Sequence, residues 1–256
     1  MVGGGDLRTL SVMPPPLVLL HGFTHTGASW DAVRAALEPG CQMLTPDLRG
    51  HGAAADRRPV SLAGVLDDLA GMTPGGCVLG GYSMGGRIAL HAALSPTLRP
   101  RVERMLLIGA SPGLAEAGER AARREADEAL ADEVERMSVE GFAARWERTP
   151  VLADQPPEVL ERVREDRRRS RPGGLAAALR GLGTGALPSL WGELTRLRIP
   201  VTLVVGERDA KFRRIADAMV QRIPAARVVC VPGVGHAVHL EAPDAMAEIL
   251  TSRTVP

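Results

Sequence analysis

Lysine, aromatic residues and cysteine are all scarce in this chain of 256 residues. Lys211 is the only lysine among 31 basic residues, so arginine supplies nearly all of the positive charge. The basic residues almost balance the 30 acidic ones, and the formal net charge is +1. This balance argues against the basic surface that nucleic acids and acidic membranes attract. We therefore expect neither a nucleic acid nor a membrane as a partner.

The three cysteines, Cys41, Cys77 and Cys230, are far apart and show no C-x-x-C spacing. This pattern predicts neither a disulfide framework nor a zinc site, and we expect each cysteine to be a small buried residue in a reducing compartment. Apolar runs approaching 18 residues are missing, and the N-terminus, with Gly3-Gly4-Gly5 and Asp6, does not resemble a signal peptide. The sequence thus predicts a cytoplasmic protein.

Short apolar runs that end in glycine or proline alternate with stretches of helical periodicity, which is typical of a parallel sheet covered by helices. The predicted strands are Leu17–Leu20, Cys77–Leu79, Met105–Ile108, Val201–Val205 and Arg227–Val231. Between residues 111 and 194 strand signals disappear, and Ala, Arg and Glu recur at helical spacing. We therefore predict one α/β fold in three parts: core residues 1–110, a helical cap or lid at 111–194, and core residues 195–256.

The strongest chemical motif is Gly81-Tyr82-Ser83-Met84-Gly85, which follows a predicted strand and opens a predicted helix. A serine at such a sharp turn presents its hydroxyl at the carboxyl edge of the sheet, and the small neighbouring residues permit the tight backbone. A capping serine could occupy the same place. The position between strand and helix favours Ser83 as a catalytic residue.

A catalytic serine needs a histidine to take its proton and a carboxylate to orient that histidine. Asp209 and His236 each follow a later predicted strand, at the same edge as Ser83 and in the chain order Ser, acid, His. The backbone N–H groups of Phe23, which follows the first strand, and Met84 can converge as an oxyanion hole. We expect His21 to organise that first loop, and its neighbour His25 to lie close enough to touch a substrate.

Together with the loop motif Pro46–Gly52, these features resemble the α/β-hydrolase superfamily over nearly the full chain. Four further segments are similar to one branch, the 2-succinyl-6-hydroxy-2,4-cyclohexadiene-1-carboxylate synthases of menaquinone biosynthesis. They are GGYSMGGR, GLGTGALPSLW, VGERDAKFRRIA and GHAVHLEAP. The resemblance implies a lyase that removes a ring proton from 2-succinyl-5-enolpyruvyl-6-hydroxy-3-cyclohexene-1-carboxylate and releases pyruvate, without metal or organic cofactor.

That substrate carries carboxylates, which arginine binds with a planar pair of donors. The resemblance implies that its binding residues are Tyr82, Arg87, Arg123, Trp146 and Arg167. The alignment through the helical region can shift by one residue. The alternative arginines are therefore Arg124, Arg168 and Arg169. We expect a monomer or a small homo-oligomer.

Two other functions fit parts of the same pattern. A carboxylesterase or a carbon–carbon-bond hydrolase would use Ser83 as a nucleophile, but would not need several arginines in one pocket. A binding protein on this fold would not need all three triad residues. The placement of the scarce aromatics supports a site: of the seven, only Phe142 is expected to serve plain packing. The other six are expected in or beside the pocket: Phe23, Trp30, Tyr82, Trp146, Trp191 and Phe212.

Overall fold

A six-stranded, fully parallel sheet forms the centre of the protein, in the order β2-β1-β3-β4-β5-β6. The computed structural model describes residues 14–149, 152 and 155–252, so the ends of the predicted core lie outside it. The strands are β1 (Leu17–Leu20), β2 (Met43–Leu44), β3 (Cys77–Tyr82), β4 (Val102–Ile108), β5 (Val201–Gly206) and β6 (Ala226–Val231). All five predicted strands are present. The two-residue β2 is too short to give a periodic signal.

Ten α-helices are found in the described part of the chain. They are α1 (Asp31–Ala36), α2 (Leu62–Met72), α3 (Met84–Leu94), α4 (Ala117–Glu135), α5 (Val139–Trp146), α6 (Pro157–Arg167), α7 (Pro172–Leu182), α8 (Ala210–Val220), α9 (Val238–Glu241) and α10 (Pro243–Thr251). Both α6 and α7 begin with proline, whose fixed φ and missing N–H suit the first helical position. The helical segment α4–α7 separates β4 from β5 in the sequence.

Two apolar layers cover the two faces of the sheet, because successive side chains of a strand point in opposite directions. In β1, Val18 and Leu20 contribute to the layer shared with α2, α3 and α8, whereas Leu17 and Leu19 contribute to the layer shared with α1 and α10. A third, smaller cluster joins α4, α5 and α7 and includes Phe142. The helical segment thus has an apolar centre of its own.

The described residues contain no helix that is both long enough and apolar enough to span a bilayer. The prediction for the cysteines is correct only in part. Cys77 is buried, Cys41 is partly buried, and Cys230 is exposed. Cys230 is exposed because it lies on β6, an edge strand that is covered incompletely.

The first turn of α3 packs against the ends of β1 and β3 more closely than a side chain would allow. A Cβ atom on Gly85 would lie 2.5 Å from the His21 carbonyl oxygen and closer still to that of Leu20. A Cβ atom on Gly81 would clash with the backbone of Gly85 and Gly86. The glycines on either side of Ser83 therefore permit β1, β3 and α3 to meet at one point.

We expect Gly85→Ala to lower the free energy of unfolding by about 1–3 kcal/mol or more, because the new methyl group meets rigid backbone carbonyls. Gly71→Ala is the matched control, since Gly71 is exposed in α2 with open space around its Cα. This control should raise the free energy of unfolding by about 0.5–1 kcal/mol through helix propensity. Urea denaturation measures both. Equal stability of Gly85→Ala and the unmodified protein would contradict the proposed close packing.

Candidate active site

Ser83 occupies a strained turn between β3 and α3. Its φ of 51° and ψ of −108° lie in a region that a residue with a side chain rarely adopts. The Ser83 N–H donates to the Ile108 carbonyl of β4 at 2.8 Å, and its own carbonyl accepts from the Arg87 N–H at 3.1 Å. These bonds hold the turn at the carboxyl edge of the sheet, and the serine side chain is partly exposed there.

Asp209 and His236 form a buried carboxylate–imidazole pair. Asp209 Oδ2 lies 2.6 Å from His236 Nδ1, and Asp209 Oδ1 accepts the Phe212 N–H at the start of α8. Because an ionised carboxylate only accepts hydrogen bonds, Nδ1 carries the proton and Nε2 remains available as a base. The structure thus joins two of the three predicted triad residues directly.

His236 lies at the same end of the sheet as Ser83. Its ring packs against Phe212 at 4.4 Å and against Tyr82, the residue before Ser83, at 5.1 Å between centroids. Gly109, which follows β4, makes room for it, since a Cβ atom there would lie 2.7 Å from His236 Cε1. Ser83 and His236 both lie within the described part of the chain, and no hydrogen bond joins Ser83 Oγ to the His236 ring. Such bonds are often formed fully only with substrate in place.

The loop after β1 runs beside the first turn of α3 and carries Phe23. His21 holds this loop: its Nε2 accepts the Leu48 N–H at 2.9 Å, so its Nδ1 carries the proton and donates to the Gly22 carbonyl at 2.9 Å. His21 is fully buried, and burial lowers its pKa. With both nitrogens engaged, His21 is a loop-organising residue rather than a base.

Arg87 extends from α3 toward the loop that follows α7. Its Nη1 donates to Thr184 Oγ1 at 2.6 Å and its Nη2 to the Leu182 carbonyl at 3.3 Å. Burial, together with the positive charge of Arg123, lowers the pKa of Arg87 to about 10. Among the described residues nothing accepts a hydrogen bond from its Nε. A buried guanidinium of this kind is well suited to bind an anion.

Of the two arginines predicted in the helical segment, one is buried. Arg167 is 1% exposed, donates from Nε to Thr24 Oγ1 at 3.1 Å and contacts Glu147 Oε1 at 3.4 Å. Its Nη2 has no partner in the described part of the protein. Arg123 is exposed and pairs with Asp127 at 2.7 Å, one turn further along α4. The three alternative arginines, Arg124, Arg168 and Arg169, are all exposed.

The aromatics differ from the prediction at Trp30, whereas Phe142 serves packing as predicted. Phe142 is buried, and its ring lies 6.2 Å from Phe23 and 5.6 Å from Trp146, which itself packs on Phe23 at 5.0 Å. Trp30 is fully buried in the apolar layer on one face of the sheet, against His239 at 4.4 Å. The sequence could not distinguish these cases, because burial depends on packing between distant segments.

Sequence reasoning also missed Asp166, at the end of α6. This carboxylate is buried and accepts a hydrogen bond from His25 Nδ1 at 3.1 Å. Its only signal in the sequence is its position directly before Arg167. Within the described ranges, no cluster of three or more His, Cys, Asp or Glu side chains could hold a metal ion.

Comparison with known proteins finds relatives over almost the whole chain. The model of the alpha/beta hydrolase family matches residues 17–249. A Bacillus subtilis (strain 168) protein assigned as a 2-succinyl-6-hydroxy-2,4-cyclohexadiene-1-carboxylate synthase is 36% identical over 92% of this chain and 88% of its own. The synthase of that name from Klebsiella pneumoniae (strain ATCC 700721) is 35% identical over 93% of this chain and 94% of its own.

A solved structure supports the same grouping. MenH from S. aureus superposes with a TM-score of 0.86 and 29% sequence identity, over 92% of this chain and 91% of MenH. The family match, the sequence relatives and this structure agree with one another. The chain therefore belongs to the alpha/beta hydrolase family and, within it, to the family of the 2-succinyl-6-hydroxy-2,4-cyclohexadiene-1-carboxylate synthases.

Proposed function

We propose that the protein is a lyase that eliminates pyruvate from 2-succinyl-5-enolpyruvyl-6-hydroxy-3-cyclohexene-1-carboxylate to give 2-succinyl-6-hydroxy-2,4-cyclohexadiene-1-carboxylate. The observation that carries this proposal is the pair of buried arginines, Arg87 and Arg167, each with an N–H group that lacks an acceptor within the described residues. Leaving buried donors unpaired is unfavourable, so an anionic ligand is expected to complete them. A substrate with several carboxylates has this property.

In the proposed mechanism Ser83 acts as a base and not as an acyl acceptor. His236 Nε2 takes the proton of the Ser83 hydroxyl while Asp209 stabilises the resulting imidazolium, and Ser83 Oγ takes the ring proton of the substrate. The electrons of the broken C–H bond form a double bond to the neighbouring ring carbon, the existing ring double bond shifts by one position, and the C–O bond to the enolpyruvyl group breaks. The released enolate of pyruvate takes up the proton held by the His236 imidazolium and becomes pyruvate. Water is not consumed.

Negative charge develops on the succinyl carbonyl oxygen when the ring proton leaves. We propose that the backbone N–H groups of Phe23 and Met84 stabilise this charge. The close packing of Gly85 against the end of β1 supports this assignment, because it brings the start of α3 beside the loop that carries Phe23.

The helical segment α4–α7 is proposed to act as a lid that supplies substrate contacts. Arg123 and Arg167 would bind carboxylates from the lid, while Arg87 and Tyr82 would do so from the core. Trp146 of the proposed lid packs against Phe23, so that the lid contacts the loop after β1. Tyr82 is buried beside His236, and burial raises the pKa of its phenol, so it remains neutral and can donate a hydrogen bond.

We expect the purified protein to release pyruvate from freshly prepared 2-succinyl-5-enolpyruvyl-6-hydroxy-3-cyclohexene-1-carboxylate much faster than this compound breaks down spontaneously. Ser83→Ala should lose about 10²–10⁴-fold of that acceleration, because the proton-transfer residue is missing. A coupled pyruvate assay measures both rates. Rapid cleavage of a simple aryl ester without any acceleration of pyruvate release would instead identify a serine hydrolase.

Arg87→Ala should raise the barrier measured by kcat/KM by about 2–4 kcal/mol, since a substrate carboxylate would lose its partner. Arg196→Ala provides a control, because Arg196 is an exposed arginine that pairs only locally with Glu193 in the described structure. This control should keep full activity. If Arg87→Ala were as active as Arg196→Ala, Arg87 would have a structural role only.

A further inference from the structure

Asp166, at the end of α6, is bonded to two consecutive residues of the loop after β1. Its Oδ2 accepts from the Thr26 N–H at 3.0 Å and from His25 Nδ1 at 3.1 Å, and its Oδ1 accepts from the Thr26 hydroxyl. These bonds span about 140 positions of sequence. They are therefore tertiary contacts between the helical segment and the core.

All three residues of this cluster are buried: His25 and Thr26 are each 2% exposed, and Asp166 is 6% exposed. Burial alone would raise the pKa of the Asp166 carboxyl, but the hydrogen bonds from His25 and Thr26 outweigh it and lower that pKa to about 2. Burial lowers the pKa of His25. Because a carboxylate oxygen accepts hydrogen bonds, the imidazole nitrogen that faces Asp166, Nδ1, carries a proton and donates it.

Arg167, the next residue of α6, binds the same loop. Its Nε donates to Thr24 Oγ1, and Thr24 has a φ of 71°, a left-handed conformation that is unfavourable for a β-branched residue. Two successive residues of α6 thus hold three successive loop residues, Thr24, His25 and Thr26. Phe23, which comes directly before them, carries the proposed oxyanion N–H.

The geometry points to Asp166 as a positioning residue: through His25 and Thr26 it fixes the loop that carries the Phe23 N–H, so that the oxyanion hole is complete only while α6 is docked. This inference rests on the proposed function, since the oxyanion role of Phe23 belongs to it. His25 acts here through its Nδ1–H donor.

The variants Asp166→Asn, His25→Leu and His25→Asn test this inference. Asp166→Asn removes the negative charge and replaces one accepting oxygen with an NH₂ group, which can only donate. His25→Leu removes the Nδ1–H group that donates to Asp166. His25→Asn places an amide N–H close to the position of Nδ1 and lacks any equivalent of Nε2. Asp56→Asn is the control, because Asp56 also joins core to helical segment, through Arg171, but on the exposed surface.

We expect Asp166→Asn and His25→Leu to lower kcat about 10–100-fold with KM changed less than about threefold, since a displaced donor weakens stabilisation of the transition state more than binding. Amide hydrogen exchange across residues 22–27 should be faster in both variants. His25→Asn should retain kcat within about threefold, and Asp56→Asn should resemble the unmodified protein in both measurements.

Unchanged exchange at residues 22–27 in both Asp166→Asn and His25→Leu would overturn the inference, as would faster exchange without a loss of kcat. A loss in His25→Asn as large as in His25→Leu would also overturn it, because His25 would then act on the substrate through Nε2. If the unmodified protein did not accelerate pyruvate release, the proposed function would fail instead. Hydrogen exchange needs no substrate and would still decide whether Asp166 holds the loop.

Discussion

The arrangement of the site depends on one steric constraint, the contact between the first turn of α3 and the end of β1. Gly85 lies against the carbonyl oxygens of Leu20 and His21 with no space for a side chain. This contact sets the position of Met84 relative to the loop that carries Phe23. It also requires the sharp turn at Ser83, whose positive φ is maintained by a hydrogen bond to β4. The strain at Ser83 is therefore compensated by packing around it.

Charge burial is the second organising feature. Three charged side chains are at most 7% exposed: Arg87, Arg167 and Asp166. Hydrogen bonds hold each of them: Arg87 to the loop that follows α7, and Arg167 and Asp166 to the loop after β1. Burying charges is costly unless they are paired. Arginine suits such positions better than lysine, because its guanidinium is less strongly hydrated and offers several fixed donors. The scarcity of lysine is compatible with this use, although most arginines are on the exposed surface.

Imidazole groups occupy the site in different chemical roles. His21 uses both nitrogens to hold a loop, His25 donates to Asp166, and His236 donates to Asp209. His239 packs between Trp30 and Tyr82 with both ring nitrogens buried, and they have no hydrogen-bond partner in the described residues. His25 and His236 share a carboxylate at Nδ1 and a ring contact with Tyr82. His236 differs in that it also packs against Phe212 and against Gly109, which follows β4. The surroundings of each imidazole, rather than the residue type, therefore set what it can do chemically.

The sequence by itself determined the parallel α/β sheet, the position of Ser83 between β3 and α3, and the placement of Asp209 and His236 after later strands. These features follow from local patterns: apolar runs, glycines at a turn, and chain order. Only the tertiary structure decided that Arg167 is buried while Arg168 and Arg169 are exposed, that Phe142 packs on Phe23, and that Asp166 binds the loop after β1. The physical reason is that a helix face and its partners are chosen by contacts between segments more than a hundred residues apart, for which a single sequence carries no local signal.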